Sequence, residues 1–274
     1  MAGTPATDGG RPLGHAGRTA AGRLMAGRRG AVLSIESTSV QDYVKTVYAF
    51  TEWQAEPITA SHLAARLGVA NSSVTGMVGK LVGLGLAEHR KYGPISLTPS
   101  GRALALAMVR RHRLIETFLV TELGYGWDEV HDEAELLEHT VSDAFVERLD
   151  LKLGRPARDP HGDPIPGADG RVRYPPAHRL DGLDEGHLGR LARVSDEDPD
   201  VLRLLDRHGI ALDADLLLAR DGAGALIELR VGADASGPSL PVDAALARSL
   251  WIESTAPHAG CTVDAGSREH ATPS

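Results

Sequence analysis

Between residues 58 and 86 the chain contains two short segments in which apolar side chains repeat at helical spacing. This stretch reads ITASHLAARLGVANSSVTGMVGKLVGLGL, and the residues that would line one face of each helix are Leu63, Ala64 and Leu67, then Val74, Met77, Val78 and Leu81. Gly68 occupies the position of a helix C-cap, and Asn71 or Ser72 is suited to cap the next helix. Two helices joined by so few residues predict a helix-turn-helix.

The flanking segments extend this motif to a winged form. An amphipathic helix is predicted from residue 39, and the segment LAEHRKYGPISLTPSGRALA predicts a β-hairpin around residues 91–94, followed by a helix that Thr98 or Ser100 begins. A winged helix-turn-helix inserts its second helix into the major groove and lays the wing over adjacent phosphates. The predicted DNA-facing residues are Asn71, Ser72, Ser73, Thr75 and Lys80 on the helix, and Arg90 and Lys91 on the wing.

A second unusual stretch, HDEAELLEH at residues 131–139, concentrates ligand-type side chains in a predicted helix over residues 128–153. Residues three and four positions apart share a helix face, so His131, Glu135, Glu138 and His139 would project to one side. Burying unpaired carboxylates costs on the order of several kcal/mol, which a divalent cation would offset. The alternative interpretation is a solvated acidic face. The preceding predicted helix, residues 101–121, contains RRHRLIE, whose His112 and Glu116 stand four positions apart.

Charge and cysteine content narrow the possible partners. The net charge is −8, but residues 38–113 carry nine Lys or Arg against four Asp or Glu, while residues 114–153 carry two against eleven. A basic module therefore adjoins an acidic one. The single cysteine, Cys261, excludes a disulfide framework and a cysteine zinc site within one chain, so any metal must use nitrogen and oxygen ligands. No apolar run reaches 18 residues, which predicts no membrane segment and a cytoplasmic location.

Changes in composition divide the 274 residues into six expected regions. They are a disordered basic arm at 1–36, a winged helix-turn-helix at 37–109, metal-binding and dimerisation helices at 110–153, a Pro/Gly-rich linker at 154–186, a small β domain at 187–253 and a disordered tail at 254–274. Within the basic arm, Met25 is an alternative start to Met1, and an organelle presequence is the rival interpretation of the arm. Apolar positions such as Phe145 and Leu149 exceed what a small domain needs, so the dimerisation helices are expected to meet a second copy of the chain.

The order of these parts resembles the diphtheria toxin repressor family of metal-dependent transcriptional regulators, including its manganese-responsive branch. The resemblance is carried by QDYVKTVYAF, NSSVTGMVGKL, LTPSGRALA, RRHRLIE, VHDEAELLEHTVSDAFVERL and DPHGDPIPG. Residues 187–253 resemble the FeoA-type, SH3-like barrel of the longer members. The resemblance implies a mainly α fold with an N-terminal winged helix-turn-helix, a helical dimerisation domain and a small C-terminal SH3-like β-barrel.

The same resemblance implies about two metal sites in each subunit. The primary site would comprise Asp42, Glu135, Glu138 and His139. The ancillary site would comprise His112, Glu116 and His131, completed by Asp196, Glu197 or Asp198 from the C-terminal domain. Iron-responsive members carry Met and Cys where this chain has Asp42 and Glu135, and hard carboxylates favour Mn²⁺, with Fe²⁺ as the alternative. The chain departs from the manganese branch at Lys45, where that branch can carry a Glu that helps form a second nearby site.

These features predict a Mn²⁺-dependent regulator that binds a palindromic double-stranded operator as a homodimer and represses metal-uptake genes when metal is bound. It would be no enzyme and would have no small-molecule substrate. The alternatives are an iron-dependent repressor of the same family, a metal-dependent hydrolase, and a constitutive DNA-binding protein with a structural metal. The sequence has no Gly-rich phosphate loop, serine nucleophile elbow or HExxH motif, and it supplies no further general base for hydrolysis.

Overall fold

The computed structural model describes residues 37–54, 56–90, 93–183, 185–220, 227–232 and 237–255. Several expectations lie outside these residues: the basic arm at 1–36 with both candidate starts, Lys91 on the wing, and all of the tail beyond residue 255, including Cys261. Among the described helices, none is both long enough and apolar enough to cross a membrane.

The N-terminal module consists of α1 (Thr38–Glu52), α2 (Ala60–Leu67), α3 (Asn71–Gly83), β1 (Ala87–His89) and β2 (Ile95–Leu97). The C-cap prediction is confirmed, since Gly68 is left-handed at φ 63° and its N–H donates to the carbonyls of Ala64 and Ala65. The N-cap prediction for α3 is wrong: the cap position is Ala70, which has no side-chain acceptor, and Asn71 and Ser72 lie in the first turn. The start of α3 therefore keeps its polar side chains exposed.

Helix α4 (Pro99–Leu123) joins the N-terminal module to the acidic helices that follow. Its N-cap is Thr98, whose hydroxyl accepts a hydrogen bond from the Gly101 N–H at 3.1 Å. A Cβ added to Gly101 would lie 1.8 Å from the carbonyl oxygen of Leu86, so only glycine permits this approach between helix and hairpin. The domain boundary expected between residues 109 and 110 falls inside this single helix.

The single helix predicted over residues 128–153 is wrong. The segment forms α5 (Val130–Glu138) and α6 (Asp143–Lys152), and Ser142 caps α6 by accepting from the Phe145 N–H at 3.2 Å. Ser142 begins a new helix instead of continuing α5, because a serine hydroxyl stabilises a helix start better than a helix interior. Large apolar side chains remain exposed on this pair of helices, among them Leu136 at 72% and Leu151 at 58%.

The segment at 154–186, expected to be a linker, is ordered and packed in its described residues, 154–183 and 185–186. It contains β3 (Ala177–Arg179) and a 3₁₀ turn (Leu180–Gly182), and it buries Asp159, His161 and Asp163. Gly162 has φ +92°, and a Cβ there would lie 2.1 Å from the carbonyl oxygen of Ala192. The Pro and Gly content of this segment therefore serves tight turns rather than flexibility.

The C-terminal domain is an antiparallel sheet with two short helices. Its elements are β4 (Leu188–Val194), α7 (Pro199–Arg207), β5 (Asp215–Arg220), β6 (Ile227–Val231), β7 (Ser239–Pro241), α8 (Ala244–Ser249) and β8 (Leu250–Ser254). The strand order is β3-β8-β4-β5-β6-β7, so β3 and β7 are the two edges and the described strands form an open sheet rather than the closed barrel expected. Its apolar core includes Leu191, Leu216 and Leu250.

One arginine connects this sheet to the N-terminal module. The guanidinium of Arg193 on β4 stacks between two indoles, with its Cζ 4.9 Å from the ring centre of Trp53 and 4.1 Å from that of Trp251. Asp163 accepts from Arg193 Nε at 2.7 Å and from Trp53 Nε1 at 2.6 Å. We call Trp53, Asp163, Arg193 and Trp251 the clasp.

Candidate metal centre

Three of the four residues expected at the primary site converge where α1 meets the end of α5. Asp42 projects from α1, Glu138 is the last residue of α5, and His139 is its C-cap. Each of these side chains offers one donor atom, and these atoms lie within 4.8 Å of one another. Glu138 is fully buried, and His139 Nε2 lies 2.8 Å from Asp42 Oδ1 and 3.5 Å from Glu138 Oε1. We call Asp42, Glu138 and His139 the primary cluster.

The hydrogen bonding of His139 prepares one ring nitrogen for a cation. Its Nδ1 lies 2.9 Å from Gln41 Oε1, and because an amide oxygen only accepts, Nδ1 carries the hydrogen. The other ring nitrogen, Nε2, faces the carboxylates of Asp42 and Glu138, so all three side chains point into the same space. A neighbour that fixes the tautomer in this way is typical of metal-ligating histidines.

The fourth expected ligand, Glu135, is held by a lysine instead. Lys45 Nζ donates to Glu135 Oε1 at 2.6 Å and to Glu138 Oε1 at 2.7 Å. Burial favours the neutral amine, but the two glutamates outweigh burial and raise the pKa of Lys45. The lysine therefore remains an ammonium that joins Glu135 to the primary cluster.

The residues expected at the ancillary site lie beside the first cluster. His112 Nε2 is 2.9 Å from Glu116 Oε1, and His131 Nδ1 is 3.4 Å from the same oxygen. His112 also connects the two clusters, because its Nδ1 lies 2.6 Å from Glu138 Oε2. From the C-terminal domain Asp196 joins this group, 3.1 Å from His131 Nδ1. Glu197 does not, because it forms an ion pair with Arg66 at the end of α2.

Two further residues of this group were not predicted as ligands from the sequence. Asp159 and His161 lie in the buried DPHGDP loop, and together with Glu116 they offer donor atoms within 4.8 Å of one another. His161 Nε2 lies 2.6 Å from the Trp127 carbonyl oxygen, so it donates and leaves Nδ1 facing Glu116 at 4.0 Å. The signal was present in the sequence as Asp-Pro-His, but the linker interpretation concealed it. We call Glu116, His131, Asp159, His161 and Asp196 the ancillary cluster.

The charges of the ancillary cluster are closely balanced. Burial raises the pKa of Asp159 to about 8, and Asp163 and Glu116 add to this rise. Burial would lower the pKa of His131, but hydrogen bonds to Asp196 and Glu116 outweigh it and raise the pKa to about 10. For Glu116, burial is outweighed by the charge of His112, which holds the pKa below its usual range. Protons on Asp159 and His131 therefore offset part of the negative charge that is buried in this cluster.

The hydrogen bonding of the buried oxygen and nitrogen atoms tests whether these clusters suit a cation. Within the part of the chain that the structure describes, His161 Nδ1 is buried without a hydrogen-bond partner, while Asp42 Oδ1 and Glu116 Oε1 are buried and face ring nitrogens of histidines. A buried acceptor without a partner is costly, and all three atoms are of the types that divalent cations bind. The donors are carboxylate oxygens and imidazole nitrogens, a set that suits Mn²⁺ and Fe²⁺.

The predicted DNA-facing residues that the structure describes are all exposed. Asn71, Ser72, Ser73, Thr75 and Lys80 are exposed on α3, and Arg90 is exposed at the end of β1. The wing pairs β1 with β2 in the register Ala87↔Leu97 and His89↔Ile95. DNA contact by these side chains stays a prediction.

Comparisons with known proteins agree with this architecture. Residues 37–95 match the family model of the iron-dependent repressor N-terminal DNA-binding domain, and residues 98–167 match the iron-dependent repressor metal-binding and dimerisation domain.

Individual relatives give the same result. The chain is 35% identical to the iron-dependent repressor IdeR of Mycobacterium bovis over 191 residues, which are 69% of this chain and 80% of the relative. It is 37% identical to the diphtheria toxin repressor of Corynebacterium diphtheriae over 46% of this chain and 56% of the relative. A solved manganese-dependent transcriptional repressor in complex with manganese superimposes with a TM-score of 0.73 at 48% identity, covering 78% of this chain and 99% of the other. The chain therefore belongs to the diphtheria toxin repressor family of metal-dependent, DNA-binding transcriptional regulators.

Proposed function

We propose that this protein represses metal-uptake genes when Mn²⁺ binds Asp42, Glu135, Glu138 and His139. As a member of its family it binds operator DNA as a homodimer. The observation that carries the proposal is the meeting of Asp42, from the DNA-binding module, with Glu138 and His139 at the end of α5. Residues of the ancillary cluster would hold a second ion.

The proposed switch works by ordering two modules. Asp42 on α1 moves with the recognition helix α3, whereas Glu138 and His139 belong to the dimerisation helices. A divalent ion supplies the positive charge that these three side chains need in order to share one site. Once they are held together, the two recognition helices of the dimer keep a fixed separation, as a palindromic operator requires. A coupling free energy of about 1–3 kcal/mol would suffice for a graded response.

The choice of Mn²⁺ follows from the donor set. Asp42 and Glu135 place hard carboxylates where a soft sulfur ligand would favour Fe²⁺. The solved relative at 48% identity is a manganese-dependent repressor, whereas the relatives from Mycobacterium and Corynebacterium are iron-dependent or diphtheria toxin repressors. An iron-dependent repressor is therefore the second candidate. We expect no catalytic activity, and we expect the protein in the cytoplasm, where its operator DNA lies.

The test is a titration of the metal-stripped protein against its own promoter DNA, followed by fluorescence anisotropy. Mn²⁺, Fe²⁺ under anaerobic conditions and Zn²⁺ are compared, and DNA binding is expected at the lowest concentrations with Mn²⁺. Binding that is equal with and without metal would indicate a constitutive DNA-binding protein. Selective binding with Fe²⁺ would favour the iron-dependent candidate.

The substitution His139→Ala tests the site itself. It removes the nitrogen that faces Asp42, so we expect metal-dependent DNA binding to be lost while the dimer remains intact by size-exclusion chromatography. The matched control is His208→Ala, because among the described residues the ring of His208 bonds locally, with Nδ1 2.9 Å from the Leu204 carbonyl oxygen. An unchanged metal response in the His139 variant would refute the site assignment.

A further inference from the structure

A lysine side chain occupies the space between two carboxylates that the proposed function assigns to the metal. Lys45 lies on α1, three residues after Asp42, and its side chain is only 13% exposed. Its Nζ contacts Glu135 Oε1 at 2.6 Å and both oxygens of Glu138, at 2.7 Å and 2.9 Å. The ammonium thus uses its donors on the atoms that a divalent ion would bind.

This arrangement stabilises the metal-free protein. Without a cation, Glu135 and Glu138 would face each other and Asp42 in a partly buried space, where like charges repel strongly. Glu138 is fully buried, so its carboxylate relies on protein partners such as Lys45 and His112. An ammonium with three donors suits two glutamates held on one helix turn.

We propose that Lys45 is a built-in competitor of the regulatory metal: it holds Glu135 and Glu138 until the ion arrives, and it must release Glu135 before that carboxylate can bind the ion. This inference rests on the proposed function, because it assumes that the ion binds at Asp42, Glu138 and His139. The metal concentration at which the switch responds is then set by an exchange of cations. Lys45 opposes the ion in two ways, by occupying its ligands and by repelling its charge.

The substitution Lys45→Met removes the charge but keeps an unbranched side chain, so it separates the effect of the charge from that of side-chain size. We expect the metal-free variant to melt at a lower temperature than the wild type, and to bind Mn²⁺ at least tenfold more tightly. The matched control is Lys152→Met: Lys152 pairs with Glu122 at 3.1 Å, but its side chain is 61% exposed and lies on α6. That control should bind Mn²⁺ with wild-type affinity.

The measurement is isothermal titration of the metal-stripped, full-length protein with Mn²⁺ alone, accompanied by thermal melting of each metal-free sample. Equal or weaker Mn²⁺ binding by a folded Lys45→Met variant would overturn the inference and leave the proposed function intact. If the wild type bound no Mn²⁺ at all, or if Asp42→Asn bound it as well as the wild type, the proposed site itself would fail.

A measurement on the wild type covers the case in which the variant does not fold. The chain has only four lysines, Lys45, Lys80, Lys91 and Lys152, so their ¹⁵Nζ NMR signals can be assigned one by one. During titration with diamagnetic Zn²⁺ we expect the Lys45 signal to shift in proportion to occupancy while the Lys152 signal stays in place. A Lys45 signal that does not move as Zn²⁺ saturates the protein would also overturn the inference.

Discussion

At the scale of single residues, protons and metal ions compete for the same side chains. In the metal-free chain His131 is protonated because Asp196 and Glu116 both bond to its Nδ1. The pKa of His131 is raised from 6.5 to about 10, whereas in the unfolded chain it returns to its ordinary value. The proton is therefore part of what stabilises the metal-free fold.

This linkage predicts a pH dependence of stability. A histidine with a raised pKa contributes stability that is complete below pH 6.5 and is lost as the pH rises towards 10. We expect the free energy of unfolding of the metal-free chain to fall between pH 7 and pH 9.5 in urea titrations. The side chain is 41% exposed, so solvent screens the effect and only its direction is predicted. In His131→Gln the fall should be smaller; an equal fall would assign it to other groups.

At the scale of elements, α3 combines an uncapped start with a row of short polar side chains. Ala70 leaves the first-turn N–H groups without a side-chain acceptor, and such a helix start favours phosphate binding. Lys80 lies at the other end of the same helix and is exposed. The helix could therefore contact the DNA backbone at both of its ends.

The substitution Lys80→Ala tests the contact at the C-terminal end. A lysine that neutralises one phosphate contributes equally on every sequence, so we expect weaker binding to operator and random DNA alike. The slope of log affinity against log salt should fall by about 1 in magnitude. Lys152→Ala on α6 is the control for the loss of one charge. A slope that matches the wild type would show that Lys80 does not contact phosphate.

The sequence predicted the elements well where local periodicity determines the structure. Gly68 was correctly placed at a helix end, and Thr98, one of two candidates for a helix start, is the N-cap; both preferences depend on the nearest turn. The break between α5 and α6 was missed because the apolar spacing continues through it from Leu137 to Val141, while Ser142 ends the pattern with a hydrogen bond that periodicity does not detect. Asp159 and His161 were missed because their loop is buried by packing against β4, distant in sequence, where Gly162 approaches Ala192 and the His161 carbonyl accepts from the Val194 N–H.

The sequence indicated which residues belong to the candidate metal site, but not the contacts that these side chains make with one another. Helical spacing predicted one face for His131, Glu135, Glu138 and His139, and the structure brings Glu138 and His139 close to Asp42, which the family resemblance had added. Metal binding by these residues stays a prediction. The position of Lys45 required the structure, because a lysine on α1 three residues after Asp42 reads in sequence as a solvated charge. Asp196, Glu197 and Asp198 were alternatives for completing the ancillary site, and the structure places Asp196 beside His131 while Glu197 pairs with Arg66.

At the scale of the whole molecule, the clasp connects the C-terminal sheet to the end of α1. Arg193 is 7% exposed, and Asp163 accepts from both Arg193 and Trp53. A desolvated cation between two indoles is worth about 2 kcal/mol, and removing one partner of a buried ion pair costs roughly 3–5 kcal/mol. The contact between the C-terminal sheet and the end of α1 therefore depends strongly on the guanidinium of Arg193.

Replacement of Arg193 is expected to weaken the contact between the C-terminal sheet and the end of α1. We expect Arg193→Met to lower the melting temperature and to increase amide hydrogen exchange in β8 and at the end of α1, because Asp163 loses a buried cation. Arg190→Met is the matched control, since Arg190 lies on the same strand with its side chain exposed. Wild-type exchange rates in the Arg193 variant would show that the modules are held together by other contacts.

The clasp also gives the molecule an optical probe of its own. The chain contains three tryptophans, and two of them, Trp53 and Trp251, flank Arg193. The third, Trp127, has its carbonyl oxygen bonded to His161 of the ancillary cluster. All of the protein's indole fluorescence therefore originates either where the modules meet or beside the ancillary cluster. Tryptophan emission can therefore report, without any added label, whether the DNA-binding module, the loop that carries His161 and the C-terminal sheet stay in contact.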